Sequence, residues 1–328
     1  MNQTEISKPA KTGSISVVPS WITETINGGA FPVVDLNTGS NGWVTPPGDV
    51  FPLRSVTYLK NKQKCLSGDY LLSPAGVDWL KSTAKLDNVL ARPDNRVAHA
   101  LRKAQSRGES LNSFIFALNF QIPTKEPNSL VFYFATENPI PSGSLLHRLI
   151  NGEDSFRNQR FKLVGHVEKG PSVVKALVGK MVAWWTTPVP FGRGASRHPP
   201  AASRTPSGSY AIMAAAVRFT LGYTKSLKID VGLVVEAQTE DELPEKLIGA
   251  VRLCQMEMPS AATVKNHNQI VNDDKMEDEL PENLIGAVRV FQMELSSAFV
   301  VVDDDLKPCR MMGSAEGNQH DDEEDDKV

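Results

Sequence analysis

Apolar and polar residues alternate with period two in three stretches of the chain. In SFIFALNFQI, Phe114, Phe116, Leu118, Phe120 and Ile122 fall on one side, and Ile115, Ala117, Asn119 and Gln121 on the other. That is the spacing of a strand with one face on a core. After the loop PTKEPN, SLVFYFAT places Leu130, Phe132 and Phe134 on one face. Two alternating runs around a Pro-containing loop predict an antiparallel hairpin. KIDVGLVVEA repeats the pattern, with Ile229, Val231, Leu233 and Val235 against Asp230, Gly232, Val234 and Glu236. Alternation of this kind predicts a sheet whose second face is partly wet.

Helical spacing is found between these runs. In LDNVLARPDNRVAHALRKAQSRG, Val97, Leu101 and Ala104 make one face with Arg and Lys opposite, and Pro93 is expected to open the helix. SGSLLHRLING reads as a short helix stopped by Gly152. SYAIMAAAVRFTLGYTKSL is apolar on nearly all sides and is expected to be the most buried helix. The order of these elements predicts an α+β fold rather than a βαβ repeat. The expected architecture is a single domain with a largely antiparallel sheet and helices packed on one face.

One element occurs twice. EDELPEKLIGAVRLCQME (240–257) and EDELPENLIGAVRVFQME (277–294) agree at fifteen of eighteen positions, at an offset of thirty-seven residues. Each copy reads as a short helix and then a strand. Asp241 is the expected cap, because a Thr239–Glu242 capping box would place Pro244 too deep in the helix, and Gly249 is the expected stop. In the strand, Val251 and Leu253 oppose Ala250, Arg252 and Cys254. Two copies do not make a solenoid. The first copy, directly after the strand ending at Ala237, is expected to win the sheet position. The second (277–295) is then a spare strand, suited to sheet extension or domain swapping.

Residues 1–40 have the composition of a disordered leader, with order expected from Gly42 and Trp43, and 303–328 form an acidic tail ending in DDEEDDKV. Nothing preorganises those carboxylates for a metal. The net charge of −3 speaks against nucleic-acid binding. Cys65, Cys254 and Cys309 are far apart, without ligand or disulfide spacing. With no apolar leader and no stretch long enough to span a bilayer, the chain is expected to be cytoplasmic, in a peripheral association with membranes if it meets them.

WVTPPGDVFPLRSVTYLKNKQKCLSGDYLL, ARPDNRVAHALRK, NSFIFALNFQIP, NSLVFYFATENP, GSLLHRLINGEDSFRNQRFKLV and EAQTEDELPEKLIGAVRL occur in this order. Together they resemble the C-terminal domain of the plant Enhanced Disease Resistance 2 family, over roughly 42–258. The resemblance implies a noncatalytic regulatory module from a family linked to lipids, membranes and defence. It supplies no catalytic residues. In longer members the domain follows pleckstrin-homology and START domains, and here a stand-alone copy is expected. Two departures stand out. Residues 181–208 carry a run rich in Pro, Gly and Arg where relatives continue into an aromatic and an acidic strand. That run has the composition of a flexible basic linker, or of a GC-rich region translated in another frame. Ser55 stands where relatives tend to have Gly.

No nucleophile elbow, phosphate loop or zinc-protease motif is present, and no two of the six His share ligand spacing. No cofactor is expected. His147 and His166 read as ordinary surface or sheet residues, and Cys254 as a packing residue. The candidate site is cationic. Arg148, Arg157, Arg160 and Lys162 lie within fifteen residues around a Gly-containing turn. Guanidinium forks suit phosphate, and an anionic lipid head group is the expected ligand. The alternative is that Glu153 and Asp154 pair with these cations and fix the turn. A protein partner held on an exposed sheet edge is the competing functional expectation.

Overall fold

The computed structural model describes Trp21 and residues 29–175, apart from 85, 87–88, 90–91, 93, 110, 112 and 123–125. It also describes 220–264 and, for the backbone alone, 288–294. The atypical segment at 181–208, nearly all of the apolar helix and the acidic tail lie outside the described residues.

Eleven strands are described: β1 (Gly42–Val44), β2 (Pro52–Arg54), β3 (Lys64–Leu66), β4 (Ser73–Ser82), β5 (Phe114–Ile122), β6 (Asn128–Thr136), β7 (Phe161–Lys169), β8 (Lys228–Val235), β9 (Leu247–Cys254), β10 (Ala262–Val264) and β11 (Val288–Glu294). The helices are α1 (Tyr58–Asn61), α2 (Arg96–Ser106), α3 (Leu145–Asn151) and α4 (Asp154–Arg160). The fold is α+β and largely antiparallel, with two main sheets where one was expected. One has the order β1-β9-β8-β7, the other β10-β4-β6-β5-β11, and β2 pairs with β3 as a separate ribbon.

The expected hairpin forms, β5 and β6 pairing from Phe114↔Thr136 to Ile122↔Asn128. Its aromatic face meets the apolar faces of β8 and β9. Phe116, Leu118, Phe120, Phe132 and Phe134 share one buried cluster with Val231, Leu233, Val235, Val251 and Leu253. Each such side chain contributes on the order of 1.5–3 kcal/mol on full burial. Leu146, Leu149 and Ile150 of α3 join this core.

The opposite face of the hairpin is not wet. Val97 and Leu101 of α2 pack with Ile115, Ala117, Val131 and Tyr133, and Asn119 Nδ2 and Gln121 Nε2 donate to the Leu86 carbonyl. Alternation reads a buried polar pair as solvent-facing, and here a backbone carbonyl takes the place of water. The helix itself begins at Arg96 rather than near Pro93, because the Asn95 side chain accepts from the N–H groups of Val97 and Ala98. Arg96 also leaves the expected exposed face. Its guanidinium pairs with Asp78, Tyr133 Oη donates to the other Asp78 oxygen at 3.0 Å, and all three residues are buried.

Residues 29–40, read as part of the leader, are docked. Ala30 bridges to Asp78, Val33 bridges to Trp43, and Phe31 lies in the main core. Gly152 ends α3 as expected, although through close approach rather than a left-handed turn. Its φ is −75°, and a Cβ there would strike the Arg148 carbonyl.

The two copies of the repeat have different surroundings. The first supplies β9, which lies between β8 and β1, antiparallel to both. Its helix is a single 3-10 turn, Glu240–Glu242, with the Thr239–Glu242 capping box present. The turn closes at Leu243 with extended backbone, so Pro244 lies beyond it and the objection to that box disappears. Gly249 lies within β9, where a Cβ would come within 2.7 Å of Phe134 Cε1. The second copy supplies β11, which extends the other sheet by running parallel to β5 from Val288↔Ile115 to Glu294↔Gln121. The segment 277–287 lies outside the described residues.

Candidate functional site

Two of the four predicted cations meet on a single carboxylate. Arg148 projects from α3 and Arg160 from the end of α4. Their NH1 atoms reach Glu242 Oε1 at 2.5 Å and Oε2 at 2.8 Å. Burial alone would raise the Glu242 carboxyl, but the Gln238 N–H and the two guanidinium groups outweigh it and hold the pKa down to about 2. Arg160 also donates to the Glu236 carbonyl at 2.9 Å. The ring of Phe156 lies beneath both guanidinium groups, 4.6 Å from Arg148 and 5.4 Å from Arg160.

The other two cations diverge. Lys162, on β7, has its Nζ 3.2 Å from Glu236 Oε2. Burial pulls its ammonium down to about 8 against the opposing pull of Glu236. Arg157 turns back onto α3 and donates to the carbonyls of Leu149 and Ile150, both at 2.9 Å. It satisfies carbonyls that the end of α3 leaves unpaired.

Among the described side chains, the acids that meet Arg148, Arg160 and Lys162 are Glu242 and Glu236, about eighty residues downstream, and the side chain of Asp154, named with Glu153 as an alternative partner, lies outside the description. Arg54 completes the arrangement from the other end of the chain. It pairs with Glu236, approaches Glu245 Oε1 at 3.5 Å and donates to the Ala237 carbonyl at 2.6 Å. The latch therefore ties β2, α3, α4 and β7 to the turn before β9. Glu236 was visible in the sequence only as the end of an alternating strand, and Glu242 and Glu245 only as parts of a repeated word. Their charge, retained at Glu279 and Glu282 in the second copy, was the available signal. Exposure separates the cations. The side chain of Arg148 is 43% exposed, whereas those of Arg160 and Lys162 are 10% and 9% exposed.

A second charged group crosses the outer face of the four-stranded sheet. His166, Asp230 and Arg252 stand opposite one another on β7, β8 and β9. Arg252 donates to both Asp230 oxygens at 2.6 and 2.8 Å and reaches Glu168 at 3.4 Å, and His166 Nδ1 lies 3.0 Å from Asp230. His166, Glu168 and Asp230 could between them offer three metal ligands, but the guanidinium already supplies the cation. His147 sits on α3, half-buried, and Cys254 is fully buried, which raises its thiol pKa.

Sheets, helices and latch together define an α+β module of two facing sheets, with β2, α3, α4 and β7 tied by charge to the turn before β9. The chain belongs to the family described as Protein ENHANCED DISEASE RESISTANCE 2, C-terminal, whose model matches residues 43–257. It is similar to a protein of Arabidopsis thaliana named Protein ENHANCED DISEASE RESISTANCE 2-like, with 32% identity over 235 residues, covering 69% of this chain and 30% of that protein. The chain thus spans under a third of the length of this relative. No solved structure matches it. No helix among the described residues is long and apolar enough to cross a membrane.

Proposed function

We propose that the chain is a noncatalytic regulatory module of this plant defence-related family and that it docks on anionic lipid surfaces. The observation that supports this is the exposed guanidinium of Arg148 at the rim of the latch. Glu242 engages its Nη1, the guanidinium stacks over Phe156, and the side chain is 43% exposed. Arg160, Lys162 and Arg157 hold the rim in place behind it. The full-length chain is expected to co-sediment with vesicles containing phosphatidylserine and not with zwitterionic vesicles, less so as salt rises. Arg148→Gln should weaken that binding about fivefold. Equal sedimentation with both vesicle types, or with neither, would refute the proposal.

A second reading, capture of a protein partner by sheet extension, is supported by β11. This strand lies outside the family-matched residues and still adds to the edge at β5. The β5 amides that face β11 rather than β6 should then exchange slowly in the intact chain and quickly in Val290→Pro, which cannot complete the ladder. Unchanged exchange would rule the edge out as a strand-accepting surface.

A further inference from the structure

Between Asp49 and Asp69 the chain runs for nineteen residues with Arg54, Lys60, Lys62 and Lys64 and without an acidic residue, although its net charge is −3. This stretch is the β2–β3 ribbon. Phe51 and Leu53 anchor it in a cluster with Val164, Val234, Leu247 and Ala250 on the outer face of the four-stranded sheet. The Ser55 N–H and hydroxyl both donate to the Gln63 carbonyl, at 3.2 and 2.8 Å, and close the loop between them. What is held out in this way is apolar as well as basic.

Five large apolar side chains are exposed among the described residues, and three of them belong to this region: Val56 at 64%, Leu66 at 42% and Leu71 at 39%. Tyr58 belongs to the same loop, with Arg54 4.7 Å and Lys62 5.4 Å from its ring centre. Lys62 and Lys64 have no ion pair among the described residues. Lys60 is 3.3 Å from Glu240, but the two side chains are 71% and 61% exposed, and such a pair holds a lysine only weakly. Glu240 belongs to the same short turn as Glu242, so the ribbon tip and Arg148 border one rim.

We infer that the β2–β3 ribbon, with Leu71 just after it, is the element that meets the membrane surface, with Lys60, Lys62 and Lys64 on anionic head groups and Val56, Leu66 and Leu71 in the interfacial layer. The inference rests on the reading of the chain as a binder of anionic lipid. Charge complementarity selects the occupant: an unopposed cationic run favours an anionic surface, and apolar side chains among the lysines favour one with a hydrocarbon layer beneath it. A polyanion such as nucleic acid would leave Val56 and Leu66 without a role.

The test uses the full-length chain, vesicles with and without phosphatidylserine, and two variants: Lys60→Gln/Lys62→Gln/Lys64→Gln and Val56→Ser/Leu66→Ser. The lysine variant should lose roughly fivefold in partition per lysine, on the order of 100-fold in all. The apolar variant should lose several-fold at unchanged charge. Lys60, Lys62, Val56 and Leu66 are exposed and Lys64 is half-buried, so both variants should keep the wild-type thermal midpoint. Wild-type binding that either variant retains in full would overturn the inference and leave the broader reading standing. Failure of the wild-type chain to bind anionic vesicles would overturn both.

Discussion

Replacing Glu242 by Gln keeps the shape of the side chain and removes the charge on which Arg148 and Arg160 converge. The drop in its pKa from 4.5 to about 2 corresponds to about 3 kcal/mol if fully expressed. Water around the half-exposed Arg148 screens part of this, so a loss of about 2 kcal/mol is expected at neutral pH. For a domain of this size that lowers the thermal midpoint by about 4–8 °C. Because the folded-state pKa is depressed, the contribution is complete above pH 4.5 and fades as pH falls toward 2. The gap between wild type and variant should close over that window. Urea unfolding followed by circular dichroism measures the gap at each pH. Double-mutant cycles with Arg148→Gln and Arg160→Gln should show the larger coupling for Arg160, the more buried partner. A gap below about 0.5 kcal/mol at neutral pH, the usual scale for surface changes, would refute the latch. So would a gap that stays constant from pH 5 to 2.5.

Two further outcomes are expected. Asp78→Asn leaves Arg96 buried beside a neutral partner and should cost about 3–5 kcal/mol, measured by the same denaturation; a loss under 1 kcal/mol would contradict the role assigned to this pair. Gly249→Ala should destabilise by about 1–3 kcal/mol, because its Cβ meets the Phe134 ring. Adding Phe134→Leu should recover part of that loss, and failure to do so would place the strain elsewhere.

Strand positions were legible because the alternation at 114–122, 130–134 and 229–235 reflects a core that takes every second residue. What lay outside that pattern was the covering of the second face. Asn119 and Gln121 look solvated in a sequence, but the carbonyl of Leu86, thirty-three residues from the first of them, accepts from both side-chain amides. The cationic group at 148–162 was legible as composition, but Glu236 and Glu242 were not legible as its partners, since proximity in sequence pointed to Glu153 and Asp154 and the two distant carboxylates reach Arg148, Arg160 and Lys162 only through the fold. The helix expected before β9 shortened to one turn because Leu243 takes extended backbone, the region that a following proline imposes on the residue before it. The basic ribbon had been read only as part of a family resemblance, because its apolar residues declare themselves as exposed only once Phe51 and Leu53 are seen to be the buried ones.

The pairing of β1 with β9, Gly42↔Cys254 to Val44↔Arg252, joins positions about 210 residues apart. At ordinary ribosomal speeds of about 5–20 residues per second, β1 waits on the order of 10–40 s for β9, the strand beside it in the sheet, to be synthesised. Arg54 waits nearly as long for Glu236 and Glu245. During that interval the β5–β6 hairpin can form, but one face of its aromatic core has no opposing sheet. The nascent chain therefore passes through a long stage in which Phe116, Phe132 and Phe134 need protection from other chains, and the demand on molecular chaperones falls on the synthesis of β7, β8 and β9.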